Sequence, residues 1–254
     1  MKSKFLGFFL ATVFVGAILG VGCLGGGGHD GGTEYSGIAT ESGNAEADFD
    51  IVGTRVTADD SWLAFSMIVR GDVAATTPAV TGELAGSEVY AYVWPTSIAP
   101  ADVGFEDAEG ILAFVVTSHP DFDDTPLFDE NADGDESNDG REWHSHWVVL
   151  VNDDACGDGA LKVMDIPEGA EPDMPASWPG LPLMLDSPGY VPEIGFEDIS
   201  IRVSIDDVGE FSGTSYDGVT AALTISEEVR PPLLCVSYVF DVASGDLSLP
   251  GRVD

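Results

Sequence analysis

Basic residues are nearly missing from this chain. Nine Lys+Arg stand against 45 Asp+Glu, a formal net charge of −36 over 254 residues. Lys2 and Lys4 lie at the very start, so the body is more acidic still. A surface of that sign repels nucleic acid and anionic lipid headgroups and attracts cations. Nucleic acid is therefore excluded as a partner. A solvated surface suited to salt and a surface that binds cations are both consistent with the charge. Catalytic signatures are scarce too: there is no Gly-x-Ser-x-Gly elbow, no phosphate loop and no free-cysteine nucleophile. Beyond the N-terminus, no stretch of a dozen residues shows a convincing 3.6-residue period, which leaves little room for helix.

The N-terminus reads as an export signal. MKSKF supplies positive charge, LGFFLATVFVGAIL is apolar, and small residues follow in GVGC. The apolar run is short for a membrane span, which needs roughly 20 residues. CLGGGGHDGGTEYSG then forms a glycine-rich tether that cannot build a core. A cysteine after small residues, ahead of a flexible linker, resembles the lipobox of secreted lipoproteins. That resemblance implies lipidation of Cys23 and attachment to a membrane on the extracytoplasmic side. It covers the first two dozen residues and departs from the usual pattern at Gly20, with Leu19 one place too far from Cys23. The expected division is a signal peptide over 1–22, a tether over 23–46 and a folded domain over 47–254. With Cys23 lipidated, Cys156 and Cys235 remain to form a disulfide in an oxidising compartment.

Two-residue alternation dominates the rest. In WLAFSMIV, Leu63, Phe65, Met67 and Val69 share a face. In DISIRVSID, Ile199, Ile201, Val203 and Ile205 do the same. FDIVGTRV, EVYAYVW, ILAFVVTS, WHSHWVVLV, ALKVMDI, VTAALTI and LLCVSYVFDV complete nine strand candidates, separated by turn signals. The fold class is all-β, a β-sandwich or jelly-roll-like domain. One segment interrupts it. Residues 166–195 carry seven prolines among Trp178, Leu181, Leu183, Leu185 and Tyr190. Such a stretch is no central strand; it is a long loop that covers an open end of the core or takes part in ligand binding.

The densest chemistry lies between Ser118 and Trp147. Nine carboxylates and no Lys or Arg fall between Pro120 and Gly140. Asp129, Asn131, Asp133, Gly134 and Asp135 follow the Asp-x-Asn-x-Asp-Gly start of calcium loops, and they resemble those of EF-hands, dockerin modules and thrombospondin repeats. Calcium takes six to eight oxygens, so alternate side chains must point inward and a glycine must permit the turn. The resemblance implies Ca2+ held by Asp129, Asn131, Asp133, Asp135 and Asp139. It fails at the twelfth place, where Gly140 replaces a bidentate glutamate; Glu142, Asp121, Asp123 or Asp124 are substitutes. A solvated loop is the plainer alternative.

Histidines frame this loop. His144 and His146 share one face of a strand, with Trp143, Ser145 and Trp147 on the other. ILAFVVTS ends just before His119. If the flanking strands pair as an antiparallel hairpin, His119 meets His144 and His146 at the mouth of the loop. Three imidazoles suit Zn2+ or Cu2+, with a nearby carboxylate as ligand or supporting partner. The alternative is that they simply hydrogen-bond the loop's acids, with pKa values raised by them. The string HSHW also resembles the zinc-ligand strand of α-carbonic anhydrases, but no histidine follows His146 to complete that set. The cupin pattern lacks its following glutamate as well. The expectation is thus an extracytoplasmic, lipid-anchored binding or surface module with a calcium loop, taking metal cations and a protein or glycan ligand. A metal-dependent enzyme or transition-metal carrier built on His119, His144 and His146, and a purely structural envelope protein, are the competing readings.

Overall fold

The computed structural model describes residues 37–40 and 45–253. Cys23, the signal segment and most of the tether lie outside them. Fourteen strands and four short 3-10 turns make up the regular structure, and the described residues contain no α-helix. In chain order the strands are β1 (Ile38–Ala39), β2 (Ile51–Ala58), β3 (Trp62–Val69), β4 (Glu88–Pro95) and β5 (Ile111–Ser118). Then come β6 (His144–Asn152), β7 (Leu161–Val163), β8 (Leu185–Asp186), β9 (Glu193–Ile194) and β10 (Asp198–Ser204). The last four are β11 (Ser215–Tyr216), β12 (Val219–Ile225), β13 (Leu234–Val242) and β14 (Gly251–Arg252). All nine alternating segments are strands. The additions are two-residue pairings, among them β1, which lies within the expected tether and pairs with β2.

Two sheets carry the architecture. One has the order β1-β2-β3-β10-β9. The other runs β5-β4-β12-β13-β7-β6-β8, and β5 also pairs with β6, so six of its strands close into a ring. Every pairing in that ring is antiparallel. The closure is uneven: β13 meets β7 at the single pair Cys235↔Lys162. There the Cys156–Cys235 disulfide, with Cα atoms 5.5 Å apart, ties β13 to the turn before β7.

Alternation sorts the side chains of the ring into two cores. Outward-facing Trp94, Phe114, Val116 and Trp147 pack on Leu63, Phe65, Met67 and Ile201 of the five-stranded sheet. Phe65 stacks on Phe114 at 4.7 Å between centroids, and Trp147 meets Phe114 at the same separation. The Trp94 indole N–H donates to Thr54 Oγ1 at 2.9 Å, which satisfies a polar atom that this aromatic packing would otherwise strand. Truncating a ring such as Phe114 to Ala in a core like this costs roughly 3–5 kcal/mol. Inward-facing residues are smaller. Val89, Ala91, Val93, Val115, Val148, Ala221 and Leu223 belong to a second apolar cluster inside the ring. The β5–β6 hairpin is thus anchored by aromatics on one face, and its other face looks into the ring.

A candidate metal centre

The hairpin register places the histidines. Thr117 pairs with His144 and Val115 with His146, so both imidazoles project to the inner face. His119 follows directly after β5, and its backbone N–H donates to Gly140 O at 2.8 Å across the neck of the loop. That neck leaves no spare room: a Cβ on Gly140 would stand 2.0 Å from Phe122 O and 2.8 Å from His119 O. Glycine is required there by close approach of two backbone segments. The first turn of the loop then brings Asp124 back beneath the histidines.

His119, Asp124, His144 and His146 are all buried, with ligand atoms within 4.8 Å of one another. Among the described residues they are the only group of three or more His, Cys, Asp or Glu placed to hold an ion. His119 Nε2, His144 Nε2 and Asp124 Oδ1 form a triangle with all three sides 3.1 Å. For bonds of about 2.0–2.1 Å, ligand atoms stand about 3.3 Å apart around a tetrahedral ion and about 3.0 Å apart around an octahedral one. His146 Nε2 lies 3.4 Å from Asp124 Oδ2 without hydrogen-bond geometry and has no hydrogen-bond partner.

The opposite ring nitrogens explain why the Nε2 atoms turn inward. His119 Nδ1 donates to Phe122 O at 2.9 Å and His144 Nδ1 to Glu142 O at 2.7 Å. His146 Nδ1 faces Asp186 O at 3.2 Å and Ser187 Oγ at 3.1 Å. The Ser187 hydroxyl donates to Asp124 O at 2.6 Å, so its oxygen is left to accept. Carbonyl oxygens only accept, which puts a proton on each Nδ1 and a lone pair on each neutral Nε2. His119 also stacks on Phe122, centroids 4.0 Å apart and planes within 4°.

Charge follows from these contacts. Burial would raise the Asp124 carboxyl, but positive charge on the His146 and His119 side, with hydrogen bonds from His119 and His144, holds it well below the usual carboxylate range whenever a proton or other cation is shared among the rings. Burial pushes His146 down to about 3 despite the attraction of Asp124, so its ring is neutral. Burial also acts to lower His144, but the hydrogen bond and charge of Asp124 override it and leave the pKa raised. Lone pairs of three imidazoles and one carboxylate therefore face a common space, and something positive must lie among them. A metal ion or a retained proton on His144 can fill that role.

The sequence expectation that His119 joins His144 and His146 is met. Their acidic partner is a single residue, Asp124, which the spacing had offered only as a spare calcium ligand. It stands five places after His119, and nothing in its sequence context distinguishes it from Asp121 or Asp123. Asp121 instead caps the backbone of Thr81 and Gly82, and Asp123 accepts from Thr125 N and Asp139 N.

Asp129, Asp133, Asp135 and Asp139 are engaged with the loop itself. Asp129 accepts from Asp133 N and Gly134 N, Asn131 Oδ1 from Asp133 N, Asp133 Oδ1 from Asp135 N, and Asp135 Oδ1 from Ser137 N. Asp139 is fully buried and accepts from Glu130 N and Asn131 N. Gly134 takes the left-handed conformation, φ 92°, that the calcium-loop pattern expects of it.

The proline-rich segment contributes more than cover. Its β8 pairs with β6 at Trp147↔Asp186, and Asp186 together with the following Ser187 supplies both groups that orient His146. Leu181, Leu183 and Leu185 close one side of the ring interior. No family model, curated protein or solved structure matches this chain.

Proposed function

We propose that this chain is an extracytoplasmic, lipid-anchored metal-binding protein whose His119–Asp124–His144–His146 centre takes one divalent transition ion. The observation that carries the reading is the fixed tautomer of all three imidazoles, which points lone pairs at one buried carboxylate. Three nitrogens and one oxygen suit Zn2+ or Cu2+ best among common ions, and the second is favoured by intrinsic affinity. Four protein ligands in full burial are also what a structural zinc site looks like. Membrane attachment rests on Cys23 and the tether, and the acidic surface fits a compartment that supplies cations.

A calcium ion in the Asp129–Asp139 loop is a separate and weaker proposal. Its support is the ligand spacing and the turn at Gly134, and against it stands the use of those carboxylates by the loop's own N–H groups.

The test is elemental analysis of the full chain, purified in mild detergent and dialysed exhaustively against metal-free buffer. About one zinc or copper per chain is expected, and Asp124→Ala or His146→Ala should lose it. A wild-type chain that retains neither metal, and gains no thermal stability when either is added, would overturn the transition-metal reading. Melting curves with added calcium, run on the same preparation, report on the loop independently.

A further inference from the structure

The interior of the strand ring is a cavity of about 120 Å3, and the metal centre forms part of its wall. His119, Asp124 and His146 reach it from one side; the surroundings are carbon, including Val93, Val115, Val148, Leu185 and Leu223. The space exists because small side chains, such as Ala91 and Ala221, occupy inward positions on β4 and β12. Protein interiors are packed to crystal density, and an empty space of this size is destabilising. An apolar cavity of roughly 150 Å3 holds benzene or xenon and stays dry otherwise.

We propose that this cavity is the ligand chamber of the metal centre, and that its occupant is a small, uncharged, apolar molecule of about benzene's size or less. The inference rests on the metal reading above. Two observations support it besides the volume. His119, Asp124 and His146 all border the chamber through their carbon atoms, so the centre and the cavity share a wall. The chamber also has an apolar way in: Leu84, Val239 and Leu247 line it and are 41%, 43% and 41% exposed. Val239 stands on β13 past Cys235, where that strand is paired only with β12 among the described residues. Peptides, phosphate esters and sugars would surrender their hydration to a carbon wall that offers no partners. A hydrolase substrate of those classes does not fit.

The test uses the zinc-loaded full chain. Xenon pressed into crystals should give a peak between Val115 and Ala221, and saturating benzene should raise the melting temperature in solution. Benzoate, of similar size but charged, should not. Ala221→Leu and the milder Ala91→Val fill the chamber from two strands; either should abolish the xenon peak and the benzene effect while zinc stays near one per chain. Zinc bound with no xenon in the ring, or stabilisation by benzoate equal to that by benzene, overturns the chamber. Xenon bound in a chain that takes up no metal overturns the centre, and with it the claim that the chamber serves one.

Discussion

Ser187 links two parts of the site at once: its hydroxyl donates to the backbone of Asp124 and its oxygen receives His146 Nδ1. Groups that orient a ligating imidazole typically change metal affinity 10–100-fold when removed. Ser187→Ala is therefore expected to weaken zinc binding by about that factor, read by competition against a chromophoric chelator, while the ligands themselves stay in place. Its neighbour Asp186 behaves differently. Burial raises its carboxyl to about 6, only partly offset by hydrogen bonds from Ser177 and Ser187, and its Oδ1 has no partner. The folded state thus holds a proton that the unfolded chain releases near pH 4. The contribution of Asp186 to the stability of metal-free protein is full below pH 4 and falls as pH rises through 6, by about 2 kcal/mol after allowing for partial solvation. Asp186→Asn should remove that fall, so that melting temperatures at pH 5 and pH 7.5 draw together. At this scale the histidines were legible from spacing alone, because a strand's period of two sends His144 and His146 to one face. Asp124, Asp186 and Ser187 were not, because their roles depend on where two loops return.

The elements of the hairpin carry the site, and their junction is a place where small changes are amplified. Gly140→Ala would drive a methyl into Phe122 O and His119 O. The expected outcome is loss of metal together with a lowered melting temperature, whereas alanine at Gly159, strained by its φ of 71° but with nothing within 4 Å of an added Cβ, should lower the melting temperature and leave metal content unchanged. The ring is fastened at its weakest pairing by Cys156–Cys235, 79 residues apart in sequence. In the chain-entropy description such a link contributes about 4 kcal/mol, and the Cys156→Ser, Cys235→Ser double variant should lose stability of that order in denaturant melts. Strands of seven to nine residues announced themselves through alternation. Strands of two residues, such as β8 and β9, carry no period to read; they exist because an established neighbour offers unpaired N–H and C=O groups.

Charge acts on the molecule as a whole. A net −36 spread over 254 residues is self-repulsive, and the repulsion falls as ionic strength shortens the screening length from about 10 Å at 0.1 M to about 3 Å at 1 M. The melting temperature should rise with sodium chloride over that range. If it stays level, the acidity is not a stability burden that salt relieves. Composition and alternation were enough for the class of fold, the acidic surface, the cysteine pairing and the His-x-His face, because each depends on residue counts or on neighbours along one strand. Tertiary structure decided the closure of six strands into a ring, the choice of Asp124 among many acids, and the apolar chamber behind it. Those features arise from contacts between segments tens of residues apart, and a single strand's pattern holds no record of which partner it will meet.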